Sequence, residues 1–244
     1  MTALFVSDLH LCAERPVMTG LFCDFLHEVA PQAETLYILG DLFEYWAGDD
    51  DLSDPFNAKV CAAIKAVGVK TYVLPGNRDF LFGDEFCAAT GAELLADEVV
   101  HDIAGTPTLI LHGDTLCTDD TAYQDFRRTV RSQAWRDEFL SLPLATRKAQ
   151  IEDLRRRSEE QKQTKSMAIM DVNQDAVAEA FRRHGVGSMI HGHTHRIGTH
   201  YYTLDGQKCV RHVLGDWHEH MHGGNYLACS PDGWQRGIWW PEAE

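Results

Sequence analysis

Five short blocks concentrate carboxylate, amide and imidazole donors: Asp8-Leu9-His10, Gly40-Asp41, Gly76-Asn77-Arg78-Asp79, His112-Gly113-Asp114 and His191-Gly192-His193-Thr194-His195. Asp8 and His10 lie two apart, so on an extended segment their side chains share a face. Asp41 follows a glycine that permits a sharp turn. Because one carboxylate can bridge two cations, Asp41 is the candidate bridge. Asn77 offers a neutral amide oxygen acceptable to a hard cation, and His112, His193 and His195 add imidazoles. An oxygen and nitrogen set without thiolate suits Mn²⁺, Fe or Zn²⁺, and its carboxylate content leans towards Mn²⁺. Two such ions ~4 Å apart activate water and clamp the attacking and leaving oxygens of an in-line displacement. The expected chemistry is hydrolysis of a phosphate ester or anhydride. Any one block alone could be a cap or turn, and their joint occurrence carries the reading.

Each block closes a run that reads as a buried strand: ALFVS, TLYIL, KTYVLP, TLILH and SMIH. Strand ends of an open α/β sheet are where ligands collect. Between the strands, Leu21, Phe22, Phe25, Leu26 and Val29 follow helical spacing. So do Phe56, Val60, Ile64 and Val67, and less fully Phe82, Phe86 and Cys87. This alternation predicts βαβ units and a parallel sheet. From about residue 94 the pattern turns β-rich, with two strands flanking a Gly105-Thr106-Pro107 turn. Residues 120–170 break the rhythm. Tyr123, Phe126, Val130, Trp135, Phe139 and Leu140 are mainly at helical spacing, Pro143 is the expected break, and a second helical run follows from Ala145. The domain reading is a core of residues 1–119 and 171–244 with a helical insertion, 120–170, lying over the sheet ends. A helix from Asp175 to His184 and hairpins at Asp205-Gly206 and Pro231-Asp232-Gly233 complete the pattern.

The 244 residues, 44% hydrophobic and 24% charged, suit one large globular domain. No apolar stretch reaches the roughly 20 residues of a membrane span, and MTALFVSDLH shows no signal-peptide pattern. Seven scattered cysteines, none in a CxxC pair, suggest free thiols in a reducing compartment. Cys12 and Cys117, although close to the metal blocks, read as packing residues. The net charge of −15 is uneven: Thr121 to Lys165 holds 11 Lys/Arg and 7 Asp/Glu, leaving 11 and 30 elsewhere. A basic segment on an acidic body points to an anionic ligand or membrane surface near that segment. The acidic remainder speaks against nucleic acid as a partner. The tract His218-Glu219-His220-Met221-His222 reads as a polar strand or loop rather than a metal site.

Taken in order, D-x-H, G-D, G-N-x-D, H-G-D and G-H-T-H resemble the motif set of the calcineurin-like metallophosphoesterases. The resemblance implies an α/β fold, a four-layer αββα sandwich of two mixed sheets with an inserted helical cap. One departure narrows it. The superfamily usually has His in the third block, where this chain has Arg78. A guanidinium keeps its proton in proteins, so Arg78 can neutralise charge but cannot act as a general acid. A phosphate monoester leaving group needs no protonation, which favours cleavage of a phosphoanhydride.

With that arginine, and with His112-Gly113-Asp114-Thr115-Leu116-Cys117-Thr118-Asp119-Asp120, Ile169-Met170-Asp171-Val172-Asn173 and Leu214-Gly215-Asp216-Trp217, nearly the whole chain resembles the hydrolase family acting on UDP-2,3-diacylglucosamine in lipid A synthesis. The resemblance implies two Mn²⁺ ions and release of UMP and 2,3-diacylglucosamine 1-phosphate. One ion would be held by Asp8, His10, Asp41 and His195, the other by Asp41, Asn77, His112 and His193. Catalytic work would fall to Arg78, Asp41 and His193, and substrate contacts to Asn77, Arg78, Asp120, Ser158, Lys162, Lys165 and His193. At Lys162 the family often has Asn. Tyr123, Phe126, Trp135 and Phe139 either line an acyl-chain enclosure or bury the insertion against the body, and for any single one core packing is the favoured reading. Arg127, Arg128, Arg131, Arg155, Arg156 and Arg157 either lie against an anionic bilayer, worth up to ~1 kcal/mol each near its surface, or form a solvated helix face. The expected location is peripheral, on the cytoplasmic face of the inner membrane, with no protein partner.

Overall fold

A computed structural model describes residues 2–162, 171–218 and 223–240, without the side chains of 158–162. The first sheet contains β1 (Ala3–Val6), β2 (Thr35–Leu39), β3 (Lys70–Leu74) and β4 (Glu93–Leu94), all parallel. It is completed by an antiparallel hairpin of β10 (Gly224–Ser230) and β11 (Gly233–Trp239), giving the order β11-β10-β1-β2-β3-β4. The second sheet comprises β5 (Glu98–Ile103), β6 (Thr106–Leu111), β7 (Ser188–His191), β8 (Gly198–Leu204) and β9 (Gln207–Val213). Its order is β5-β6-β7-β9-β8, with β6, β7 and β9 parallel and antiparallel pairs at both edges.

The two-residue period of a strand sorts its side chains between layers. Leu4, Val6, Leu36, Ile38 and Val73 face helices α1 (Pro16–Glu28), α2 (Pro55–Ala66) and α3 (Asp84–Thr90), packing with Phe22, Phe25, Val60, Ile64 and Phe86. Phe5, Tyr37, Leu39 and Leu74 face the other sheet and meet Ile103, Ile110 and Ile190. Leu109, Leu111 and Met189 turn outward to Val177, Ala180 and Phe181 of α7 (Gln174–His184). Three apolar seams between four layers make the expected αββα sandwich. The β5–β6 turn sits one residue earlier than expected, at Ala104-Gly105. Both residues have positive φ (52° and 85°), the twist that a two-residue hairpin requires.

Residues 121–162 form three helices rather than two: α4 (Thr121–Val130), α5 (Gln133–Ser141) and α6 (Leu144–Lys162). The additional break falls at Ser132, whose hydroxyl accepts from the Trp135 N–H (3.3 Å) and caps α5. Phe139 is buried in the first apolar seam, with Trp135 stacked on it (4.5 Å between rings) and leaning on Phe80. Among the four aromatics considered for an acyl enclosure, Phe139 is therefore core, and Tyr123 is tied by its hydroxyl to Asp114 (2.7 Å). Phe126 and Trp135, with Val130, Ala149 and Leu154, line a groove of ≈ 510 Å³ between the three helices.

The arginines of this segment divide between the body and the surface. Arg127 pairs with Asp114 and Asp97, Arg131 with Asp97, and Arg155 with Glu44, so these three point into the body. Arg128, Arg156 and Arg157 remain on the surface, each paired with an aspartate one turn away. The acidic core draws the better-placed guanidiniums inward, where the low dielectric strengthens the attraction.

Candidate metal centre

The five ligand blocks leave their strands at one rim. Beyond β1 and β2 the backbones stay zipped: the Asp8 N–H donates to the Gly40 carbonyl (3.1 Å) and the His10 N–H to that of Asp41 (2.9 Å). Across the second sheet the Gly192 N–H donates to the His112 carbonyl (2.8 Å). Asp8, His10, Asp41, His193 and His195 have φ between +49° and +66°, and among the described residues only two other non-glycines share that region. Left-handed backbone costs an L-residue roughly 1–2 kcal/mol. Spending it at five candidate ligands turns their side chains out of the strand path towards one point. Close approach also explains two glycines. A Cβ at Gly76 would run into Asp41, and one at Gly192 into Ser7 and Asp8.

At that point Asp8 Oδ2 accepts from the His193 N–H (2.9 Å) and from the Ser7 hydroxyl, while Oδ1 is buried with no hydrogen-bond partner. Asp8 Oδ1 lies 3.4 Å from His195 Nε2. Asp41 presents its two oxygens in two directions, Oδ1 to His112 Nε2 (3.7 Å) and Oδ2 to His10 Nε2 (3.8 Å). Asn77 Oδ1 is 3.1 Å from His112 Nε2, and the His193 ring lies 4.9 Å from that of His112. Ligand atoms of Asp8, His10 and His195 fall within 4.8 Å of one another, as do those of Asp8, Asp41 and His112. Two ligands on one ion, each about 2.1 Å from it and at right angles, sit about 3 Å apart. The carboxylate–imidazole gaps are thus too long for good hydrogen bonds and suit a shared cation. Together with the orphaned Asp8 oxygen and the donor types, they show that these residues fit a pair of hard or borderline divalent ions.

The far side of three of the four imidazoles is also held. His10 Nδ1 lies 3.2 Å from Glu44 Oε2, His195 Nδ1 lies 3.0 Å from Asp216 Oδ2, and His112 Nδ1 donates to the Leu39 carbonyl (2.8 Å). A proton kept on Nδ1 leaves Nε2 free to ligate and aims it inward. Burial raises the Glu44 carboxyl, but its hydrogen bond to His10 and the Arg78 and Arg155 charges outweigh this and bring it down to about 2. Burial lowers His195, yet Asp216 and Asp8 carry it up to about 10. His193 is pushed down to about 4 by burial and by His112. Asp79 accepts the N–H groups of Gly76 (2.8 Å) and Leu42 (2.7 Å), joining two ligand loops. Burial, then the charge of Asp41, lifts it to about 6.

Sequence reasoning gave Glu44, Asp79, Asp114 and Asp216 no role. Asp79, Asp114 and Asp216 stood inside recognised runs, so a signal existed, whereas Glu44 had none. Arg78 donates its N–H to Asp41 Oδ1 (2.9 Å) and carries its guanidinium 3.6 Å from Glu44. Asp120 caps α4 by accepting from the Tyr123 N–H (3.1 Å), and the Tyr123 ring stacks beside His193 (6.1 Å). The side chains of Ser158 and Lys162, and all of Lys165, lie outside the described residues. His191 stays out of the cluster: it is buried, and its Nε2 faces Arg211 (2.9 Å). Cys117 is buried, and neither Cys12 nor Cys117 takes part in a disulfide. His218 pairs with Asp216, while residues 219–222 of the histidine tract lie outside the described residues.

Residues 1–196 match the model of the calcineurin-like phosphoesterases. Among curated proteins, the chain is 51% identical to a UDP-2,3-diacylglucosamine hydrolase of Aromatoleum aromaticum, over 90% of each chain. It is 50% identical to proteins of the same name from Serratia proteamaculans and Escherichia coli, over 89% of this chain and 92% of theirs. A dimetal phosphatase from Danio rerio shares the fold with a TM-score of 0.51 at 13% identity, covering 98% of this chain and 99% of that one. Among the described residues no helix is long and apolar enough to cross a membrane. Matched by the family model over residues 1–196 and by half-identical relatives over about nine-tenths of its length, the chain belongs to the calcineurin-like phosphoesterase family.

Proposed function

We propose that this protein is a hydrolase of the diphosphate bond of UDP-2,3-diacylglucosamine, with water attacking the α-phosphorus to give UMP and 2,3-diacylglucosamine 1-phosphate. The observation that carries the reading is the convergence of seven oxygen and imidazole side chains beside the Arg78 guanidinium. In this reading Asp8, His10, Asp41 and His195 hold one cation, and Asp41, Asn77, His112 and His193 hold the second, both Mn²⁺. When bound, such a pair supplies Lewis-acid activation of the attacking water and of the substrate phosphate. Asp41 fits the bridging position because its two oxygens face His112 and His10 separately. His193, kept neutral by burial, offers a lone pair rather than a proton. The water oxygen bonds to the α-phosphorus and its protons are released to solvent, while the bond from that phosphorus to the bridging oxygen breaks and its electron pair passes to the sugar 1-phosphate. That dianion leaves unprotonated, and the fixed positive charge of Arg78 stabilises it.

Residues 120–170 act in this reading as a lid over the site. The groove beside Phe126, Trp135 and Leu154 takes an acyl chain, while Asn77, Arg78, Asp120, Ser158, Lys165 and His193 contact the head group, with Lys162 beside them. The protein works as a peripheral enzyme on the cytoplasmic face of the inner membrane, with Arg128, Arg156 and Arg157 as the remaining surface cations of the lid. Flotation with anionic vesicles at low salt tests that placement, and absence of binding refutes it. The decisive experiment is Mn²⁺-dependent UMP release from UDP-2,3-diacylglucosamine, run beside the non-acylated UDP-sugar. Fast cleavage of the acylated compound alone supports the whole reading. Equal cleavage of both removes the lipid specificity, and cleavage of neither removes the function.

A further inference from the structure

One carboxylate beside the metal centre answers to three partners from three parts of the chain. Glu44 Oε2 faces His10 Nδ1 (3.2 Å). Its Oε1 accepts from the Arg155 guanidinium of α6 (2.7 Å) and lies 3.6 Å from the Arg78 guanidinium. The surrounding contacts make α6 and this loop one mechanical unit. Arg155 and Lys148 both approach the Tyr45 ring, Lys148 reaches Asp51 (2.6 Å), and Arg147 pairs with Asp50 and the Ala47 carbonyl. Along the stretch that follows the Asp41 turn, α6 side chains thus meet Glu44, Tyr45, Ala47, Asp50 and Asp51. Of these three anchors, Arg147, Lys148 and Arg155, only Arg155 bonds to a side chain that also holds a candidate metal ligand.

We propose that Glu44 is a positioning residue through which docking of α6 sets the orientation of both the His10 imidazole and the Arg78 guanidinium. This inference rests on the proposed roles of His10 and Arg78. Held between Arg155 and His10, the Glu44 carboxylate keeps its Oε2 on His10 Nδ1, so His10 Nε2 stays aimed at Asp41. Shared between two guanidiniums, it limits how far Arg78 can swing away from the rim. When Arg155 is lost, Oε1 is free to turn fully onto Arg78. Glu44 then leaves His10 and draws the second guanidinium off the substrate phosphate.

The test combines Mn²⁺ affinity, read without substrate from the electron paramagnetic resonance signal of free Mn²⁺, with steady-state kinetics. Glu44→Gln keeps the volume and one acceptor but loses the charge, and partners of this kind typically contribute 10–100-fold in metal affinity. The expected results are at least a 10-fold weaker Mn²⁺ affinity for E44Q and about 3-fold for R155A, with the double variant no weaker than E44Q alone. R155A should lower kcat while leaving KM nearly unchanged. Lys148→Ala, which removes a different α6 anchor, should leave Mn²⁺ affinity at the wild-type value. Wild-type affinity in R155A, effects of E44Q and R155A that multiply, or equal losses in K148A and R155A would overturn the proposal. R155A and K148A sit at the α6 contact rather than in the site, so the comparison survives if E44Q fails to fold. The Mn²⁺ readout needs no substrate and stands even if the substrate named above is wrong. Loss of activity on that substrate in the wild type would count against the functional reading alone.

Discussion

Replacing Arg127 with methionine should destabilise the protein severely, although the side chain touches no proposed ligand. Its Nε donates to Asp114 Oδ2 (2.7 Å) at a carboxylate only 3% exposed, and a second nitrogen meets the 43%-exposed Asp97. Removing one partner of a buried pair leaves an uncompensated charge and costs about 3–5 kcal/mol. The Asp97 contact contributes at most about 1 kcal/mol, and Asp97 keeps Arg131 (3.0 Å). In a chain of this size each kcal/mol moves the melting temperature by roughly 2–4 °C, so a drop of about 10 °C is expected. Burial pushes the Asp114 carboxyl up, but His112, Arg127 and His193 outweigh it and hold it well below the usual carboxylate range. For such a depressed acid, the stability gained is present above the ordinary carboxylate pKa and is lost as pH falls through the lowered value. Without Arg127 the Asp114 pKa rises and the carboxyl can protonate instead. The deficit of the variant should therefore be largest near neutrality and shrink on acidification. Thermal unfolding of Mn²⁺-loaded protein across that range is the assay, with Arg128→Ala as control. Arg128 and its partner are both largely exposed, so that control should stay within about 0.5 kcal/mol. A melting temperature for Arg127→Met within a degree or two of wild type, or a deficit independent of pH, refutes the reasoning.

Four further outcomes are expected. Asp41→Asn should lose bound metal by elemental analysis and about a hundredfold to a thousandfold in kcat. Gly192→Ala should fold but bind metal more weakly, because the new Cβ displaces Ser7 and the Asp8 carboxylate. Normal metal content there would show the loop to be freer than its geometry implies. For Glu98, burial raises the carboxyl while His184 and Arg183 pull it lower, so its contribution is present above the ordinary glutamate value and lost below the depressed one. Glu98→Gln should accordingly melt lower than wild type at neutral pH, with the difference vanishing in acid. Leu154→Asp, on the groove beside Phe126, should raise KM for the diacylated substrate and leave the hydrolysis of a short-chain analogue unchanged. Equal effects on both substrates would exclude the groove as an acyl-chain site.

The reaction class and the parallel βαβ core were legible in the sequence because their signals are local, whereas the four-layer sandwich followed only from the family resemblance. A run such as TLYIL declares a buried strand by composition, the Gly-Asp after it declares a turn with a carboxylate, and helical spacing supplies the connections. Donor type needs no coordinates: oxygen and imidazole without thiolate already narrow the metal. The break between α4 and α5 at Ser132 was missed although its cap residue was in view, because helical apolar spacing continued across it. Other features had no local signal at all. Glu44 meets Arg155 across 111 positions, and Asp8 receives the His193 N–H across 185. Nor did any pattern tell which sheet each C-terminal hairpin would join, or that Arg127, Arg131 and Arg155 would turn inward while Arg128, Arg156 and Arg157 would not. The left-handed backbone at five of the candidate ligands is imposed by hydrogen bonds between loops remote in sequence. The sequence by itself determined which atoms were available for chemistry and in which strand-end turns they would stand. Only the tertiary structure decided which carboxylate holds which imidazole, because that depends on distances between segments that no local spacing encodes.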